Sequence, residues 1–217
     1  MKEIYEAYNN AWESGKIEKP VSVLIGGHIG TGKSSFTKLL EHYISPIYQI
    51  PTGIIRAIEQ ANTTSVDQPI LFAHSYDLHN VIYRPDLTIE DRAIIAFQEQ
   101  AKHIEKAVVN ILRFSETEGQ QFIIEGNHIL PAFTAQQINK KNVISLFFKT
   151  TDLEQYTKMI SGPTHKRNFT SEQLYLIRHI HDFIVNEAGR LNQTMFEFNQ
   201  TDNALAHIAK KLEELLP

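Results

Sequence analysis

The chain has 217 residues, 42% of them hydrophobic and 21% charged, with a formal net charge of −4 and no cysteine. That length supports one well-buried core over 1–217 with room for a helical excursion, and the missing cysteines exclude disulfides, zinc–thiolate sites and thiol nucleophiles. The mild acidity gives no general attraction to nucleic acid or to anionic membrane, and the N-terminus lacks a secretory pattern, so a cytoplasmic protein with neither partner is expected.

In chain order, residues 2 to 14 place Ile4, Tyr5, Tyr8, Ala11 and Trp12 at helical spacing. This predicts a short amphipathic helix beside a sheet or at a subunit contact, which leaves a homodimer open. After Pro20 the apolar run Val21 to Ile25 reads as a buried strand. It leads into Gly27-His28-Ile29-Gly30-Thr31-Gly32-Lys33-Ser34, the Walker A pattern G-x-x-x-x-G-K-[ST] in its strand–turn–helix setting. A phosphate chain carries more charge than a few side chains can offset, so backbone N–H groups must turn toward it, and glycine permits that approach. The expected nucleotide site is Gly27, His28, Ile29, Gly30, Thr31, Gly32, Lys33, Ser34 and Ser35, with Lys33 on the β- and γ-phosphates of ATP and the Ser34 hydroxyl on Mg²⁺.

A helix is predicted from about Ser34 to Tyr43, then a strand from Ile47 to Ile50 that ends at Pro51-Thr52-Gly53, then a helix carrying Arg56. Residues 61 to 70 read as a loop. The longest helical pattern runs from Thr88, with its start signal at Thr88 and Asp91, to Glu118 before Gly119, and it returns Ile94, Phe97, Ala101, Ile104, Val108, Ile111 and Leu112 to one side. Phe122 to Ile124 and Val143 to Phe148 read as the third and fourth strands. Residues 152 to 161 and 171 to 188 read as two helices, Thr194 to Phe198 as the last strand, and the chain from Asp202 as a closing helix. This alternation predicts an α/β protein of the P-loop NTPase fold, with a five-stranded parallel sheet, helices on both faces and a small helical lid at about 152–180.

Ligands of such sheets lie at the carboxyl ends of the strands. Glu125 ends the third strand and is by elimination the carboxylate that holds Mg²⁺ or takes the acceptor's proton, the alternative being a solvated strand end. Arg56 could fork onto an anionic acceptor or form a surface ion pair. Lys166 and Arg167 sit in a basic connection suited to a lid that closes on phosphates, with Arg167 grouped beside Lys33 and Glu125 as catalytic and Arg178 directed to the same space. His74 and His128 fall at the expected binding edge and suit either a ligand contact or a structural role. His179 and His181 diverge on their helix and no His-Glu-x-x-His occurs, which argues against a metal other than Mg²⁺. No Asp-x-x-Gly occurs either, and Asn139-Lys140-Lys141-Asn142 precedes a strand and lacks a final Asp, which argues against a GTPase switch.

Several pieces together resemble the 2-phosphoglycerate kinase family of P-loop kinases over roughly residues 20 to 190. They are Leu24-Ile25-Gly26-Gly27 running into the phosphate loop, Thr52-Gly53-Ile54-Ile55-Arg56, His74-Ser75-Tyr76, Ile124-Glu125-Gly126-Asn127-His128-Ile129-Leu130-Pro131 and Ile177-Arg178-His179-Ile180. The Glu-Gly-x-His-x-x-Pro piece is the most discriminating. The resemblance implies transfer of the γ-phosphoryl group of ATP to a hydroxyl of a small phosphorylated acid, 2-phosphoglycerate, with Thr52, Arg56, His74, Tyr76, His128, Lys166 and Arg178 on the acceptor side. Where that family looks like Ser-Thr-Asp-x-x-Arg after the second strand, this chain has Pro51-Thr52-Gly53 before Ile54-Ile55-Arg56, so the arginine is kept and the acid is lost. Two alternatives follow: a nucleotide-binding regulatory protein with little catalysis, and a P-loop kinase acting on a nucleotide, nucleoside or nucleotide sugar.

Overall fold

The sheet of the computed structural model holds five parallel strands, β1 (Ser22–Gly26), β2 (Tyr48–Pro51), β3 (Phe122–Glu125), β4 (Val143–Lys149) and β5 (Met195–Glu197), side by side in the order β2-β3-β1-β4-β5. Residues 1–161 and 168–217 are described. The helices are α1 (Lys2–Glu13), α2 (Lys33–Leu40), α3 (Thr52–Ala61), α4 (Pro69–Phe72), α5 (Ile89–Glu118), α6 (Pro131–Gln137), α7 (Leu153–Ile160), α8 (Ser171–Arg190) and α9 (Thr201–Glu213).

β1 is the middle strand, and all five of its residues are buried. A strand covered on both faces has no solvent side, which is why its sequence is a continuous apolar run rather than an alternation. Its side chains still divide by parity. Val23 and Ile25 enter one core with Tyr5, Tyr8, Phe36, Leu40, Leu205 and Leu212, from α1, α2 and α9. Leu24 enters the other with Phe97, Ile104, Val108, Phe133, Ile180 and Ile184, from α5, α6 and α8. Each such side chain, fully buried, contributes about 1.5–3 kcal/mol.

The apolar stripe of α1 is used within the chain. The Tyr5 hydroxyl donates to the Leu205 carbonyl at 2.8 Å and the Tyr8 hydroxyl to Gln121 Oε1 at 2.8 Å, so the helix lies beside the sheet. α5 starts where Thr88 Oγ1 accepts the Asp91 N–H at 3.1 Å and stops at Gly119, whose φ of 65° is left-handed. Its buried stripe includes Ala93, Phe97, Gln100, Ala101, Ile104 and Val108, while Ile94 and Ile111 are half-buried flanks.

Two features differ from the sequence expectation. α6 follows β3, and Pro131 in its first turn, with no N–H to leave unsatisfied, starts it. The segment expected as a loop ends in the short helix α4, opened in the same way by Pro69. α8 is shared between two clusters: Ile180, Ile184 and Ala188 lie in the second core, while Ile177, with Leu174 beside it, packs against Tyr156 and Ile160 of α7 and against Tyr76. No helix of the described residues is long and apolar enough to cross a membrane.

Candidate active site

The loop between β1 and α2 is shaped by glycines with positive φ, among them Gly30 at 78° and Gly32 at 85°, the latter capping α2 in the left-handed conformation. At Gly30 a second constraint applies. A β-carbon there would lie 2.4 Å from Ile160 Cγ2, so α7 rests on the loop only because nothing projects from residue 30. Lys33 spans the same loop. Its Nζ donates to the His28 carbonyl at 2.7 Å and to Thr31 Oγ1 at 3.4 Å, while the Thr31 hydroxyl donates to the His28 carbonyl at 2.9 Å. An ammonium has three donors, so one remains for a ligand. Burial pushes Lys33 down to about 8, opposed by the negative charge of Glu125.

Glu125 is buried at the end of β3, and its Oε1 accepts the Ser34 hydroxyl at 3.0 Å. The alternative of a solvated strand end does not describe it. The parallel register that places Ile25 beside Glu125 brings the third strand's carboxylate to the mouth of the loop. Ser35 is exposed on the first turn of α2 next to Ser34. The His28 ring points inward instead: it is fully buried, edge-on to Phe97 at 5.9 Å, and held neutral by burial and by the Lys33 charge. Only the backbone of His28 faces the loop.

A cleft of about 420 Å³ opens beside the loop. Ile29, Gly30, Lys33, Ser34 and Glu125 form one wall, and Thr52, Gly53, Arg56, His74, Tyr76 and His128 are on the other. Arg56 Nη1 donates to the Ala73 carbonyl at 2.8 Å. His74 stacks on Tyr76 with ring centres 5.2 Å apart, and Tyr76 meets the edge of Phe169 at 5.1 Å. His128 has both ring nitrogens occupied, Nδ1 by Thr52 Oγ1 at 2.9 Å and Nε2 by Gln100 Oε1 at 3.0 Å. Burial, with the Arg56 and Lys33 charges nearby, pushes it down to about 3. A β-carbon at Gly53 would meet nothing within 4 Å, so the position of the missing acid opens on unfilled space.

Arg178 is elsewhere. It donates to Asp182 Oδ2 at 3.1 Å and to the Thr150 carbonyl at 3.3 Å, its guanidinium carbon is 5.6 Å from the Tyr156 ring centre, and it is not among the described residues that line the cleft. Lys166 and Arg167 lie outside the described residues. No group of three or more His, Cys, Asp or Glu side chains that could hold a metal occurs among the described residues. The hydroxyl–carboxylate pair of Ser34 and Glu125 is a hard-oxygen donor set of the kind Mg²⁺ accepts, since that ion keeps waters and phosphate oxygens for its other positions. One polar residue behind His128 is not anticipated by the sequence reading: Gln100 is fully buried, and the signal for it is an amide at a position of α5 that faces the core.

No protein-family model matches the chain. It is similar to the 2-phosphoglycerate kinases of Methanothermobacter thermautotrophicus (24% identical, over 97% of this chain and 71% of that protein), Methanopyrus kandleri (28%, 93% and 63%) and Thermococcus kodakarensis (25%, 90% and 68%). The chain thus spans about two thirds of the length of these relatives. Among solved structures, shikimate kinase from Acinetobacter baumannii in complex with shikimate matches with a TM-score of 0.53 at 9% identity, covering 92% of this chain and 97% of that one, which is a likeness of fold. Fold, phosphate loop and relatives define the class: a P-loop kinase, hence a phosphotransferase. Within that class the chain is a relative of the 2-phosphoglycerate kinases, as its motifs indicate.

Proposed function

We propose that this protein transfers the γ-phosphoryl group of ATP to a hydroxyl of a small phosphorylated acid, with 2-phosphoglycerate as the first candidate and 2,3-bisphosphoglycerate as its product. The observation that carries the reading is the contact of Ser34 with Glu125 across the mouth of the loop, because it puts a hydroxyl, a carboxylate and the Lys33 ammonium around one edge of a single cleft. The loop amides and Lys33 hold the terminal phosphates. Ser34 and Glu125 would hold Mg²⁺, which when bound neutralises charge on those phosphates. The acceptor hydroxyl oxygen bonds to the γ-phosphorus, the bond from that phosphorus to the β–γ bridging oxygen breaks, ADP departs, and the hydroxyl proton passes to the Glu125 carboxylate or to water. Arg56, opposite the loop, receives the anionic end of the acceptor. Little covalent work is asked of the protein, since phosphoryl transfer is catalysed mainly by positioning and by charge set in place beforehand.

Incubation with ATP, Mg²⁺ and a panel of phosphorylated acids, nucleotides, nucleosides and nucleotide sugars, followed by phosphorus NMR, tests this. Acceptor-dependent ADP together with 2,3-bisphosphoglycerate supports the reading. Acceptor-dependent ADP with a nucleotide, nucleoside or nucleotide sugar instead keeps the kinase and replaces the acceptor. The open space at Gly53 favours one second reading, a nucleotide-binding regulator. Tight ATP binding with no acceptor-dependent turnover would establish it.

A further inference from the structure

The acceptor wall is held by a buried ring of hydrogen bonds whose direction can be deduced atom by atom. Gln100 Nε2 lies 2.5 Å from the Ile70 carbonyl and 3.0 Å from the Ala73 carbonyl. Both partners only accept, so the amide's NH₂ faces them and its oxygen faces His128 Nε2 at 3.0 Å. That nitrogen must therefore carry hydrogen. A ring buried between the Arg56 and Lys33 cations stays neutral and has one N–H, so Nδ1 is bare and takes the Thr52 hydroxyl hydrogen at 2.9 Å. The Ala73 carbonyl also accepts from Arg56 Nη1 at 2.8 Å. Thr52 and Arg56 stand one turn apart on α3, so the sequence Thr52, His128, Gln100, Ala73, Arg56 closes on itself.

The sheet ladder already sets Pro51 beside Glu125, and with them the start of α3 beside the turn after β3; the ring ties to this pair the residues after α4 and the middle of α5. The turn after β3 is clamped further by Gly126, where a β-carbon would fall 1.8 Å from Thr52 Oγ1. Glu125 begins that same turn. The ring therefore fixes Arg56 on one side of the cleft relative to Glu125 on the other.

We propose that Gln100 and His128 are positioning residues, which through Thr52 and the Ala73 carbonyl aim the Arg56 guanidinium at the anionic group of the acceptor and hold it in register with Glu125. The reading of the cleft as a site for a small phosphorylated acid underlies this. Only a side chain with both an amide donor and an amide acceptor serves at position 100: a carboxylate there has no hydrogen for the two carbonyls, and an apolar chain takes the amide partner from the Ile70 carbonyl and from His128 Nε2 and leaves the Ala73 carbonyl to Arg56 alone. Of the two sequence expectations for His128, a ligand contact or a structural role, the proposal develops the second, and Thr52 becomes the donor that locks the tautomer.

The test uses Gln100→Met and Thr52→Val in the full chain, with 2-phosphoglycerate as the acceptor probe. Expected is a rise of about 10-fold or more in acceptor KM, the scale of a misplaced binding group, with ATP KM unchanged within about twofold. A change of both KM values in parallel, or an acceptor KM that does not move, overturns the proposal. Should Gln100→Met fail to fold, the same two constants measured for Thr52→Val, which removes one hydroxyl, decide between these outcomes. A readout independent of any acceptor is the ¹⁵N spectrum of the His128 ring in the unaltered protein: Nε2–H with a bare Nδ1, unchanged from pH 7 to pH 5, is expected. A hydrogen on Nδ1, or a ring that gains charge near pH 6, sinks the ring of bonds. If the unaltered protein ignores 2-phosphoglycerate while the spectrum holds, the functional reading fails and the ring stands.

Discussion

The two walls of the cleft are built by opposite strategies. The nucleotide wall is contiguous: residues 27 to 35 supply the glycines, the ammonium and the hydroxyl, Lys33 and Thr31 bond to the His28 carbonyl within the loop, and Ser34 reaches out to Glu125. The proposed acceptor wall is supported by residues as far apart in sequence as Thr52, Ala73, Gln100 and His128, tied by side-chain hydrogen bonds that add to the pairing of β2 with β3. A wall made from one turn tolerates change elsewhere in the fold. A wall made from four segments shifts when any one of them moves.

The largest expected effect tests the contiguous wall. Lys33→Ala should lower kcat by about 10²-fold or more, because it removes a charge set in place for the transferring phosphate. Unchanged phosphotransfer in that variant, measured as acceptor-dependent ADP, would falsify the kinase mechanism. Next comes the gathered wall: Arg56→Leu should raise acceptor KM by about 10-fold and leave ATP binding alone, a split visible in steady-state kinetics. Equal losses for both substrates would mean that Arg56 supports the whole cleft rather than the acceptor.

Gly53→Asp sharpens the contrast further, since the new side chain enters open space beside Arg56 without a clash. A gain of a few-fold in turnover with 2-phosphoglycerate is expected if the acid serves the acceptor. A loss would point to an acceptor that the carboxylate repels.

The smallest effect concerns protons. Lys33 is pushed down to about 8 in the nucleotide-free protein, and an anion beside it favours the charged form, so binding above that pH draws in a proton. ATP affinity should fall as pH rises through about 8, and calorimetry in two buffers of different ionisation enthalpy should register uptake of up to one proton at pH 8.5 and none at pH 6.5. For stability the sign is the reverse. The unfolded chain keeps its Lys33 proton up to the ordinary value of 10.5, so this group weakens the fold below about 8 and the penalty lifts as pH rises through that window.

How much is legible in the sequence follows the same division. The phosphate loop, the buried run of β1 and the strand-end position of Glu125 can be read from residue types alone, because each depends on neighbours within a few residues. α6 escapes such a reading although Pro131 marks its start, since a seven-residue helix gives too few turns for an apolar period to emerge. α8 reads as one helix, but that Ile177 packs on α7 while Ile180 and Ile184 enter the second core does not show in their spacing. Arg178 looks like a phosphate ligand, yet Asp182 one turn on and the Thr150 carbonyl engage it. His128 is visible as a motif member, and its role is not, because Gln100 lies 28 residues away on another helix.

Sequence by itself determined the alternation of strands and helices, the backbone freedom of Gly30 and Gly32, and the charge that meets a phosphate, all of them properties of short windows of chain. The tertiary structure alone decided which face of α5 carries an amide behind the acceptor wall, which nitrogen of His128 holds its hydrogen, and that Ser34 and Glu125 touch. Those outcomes depend on distances between segments that only the packed sheet brings together, and a hydrogen bond exists only where both of its partners arrive.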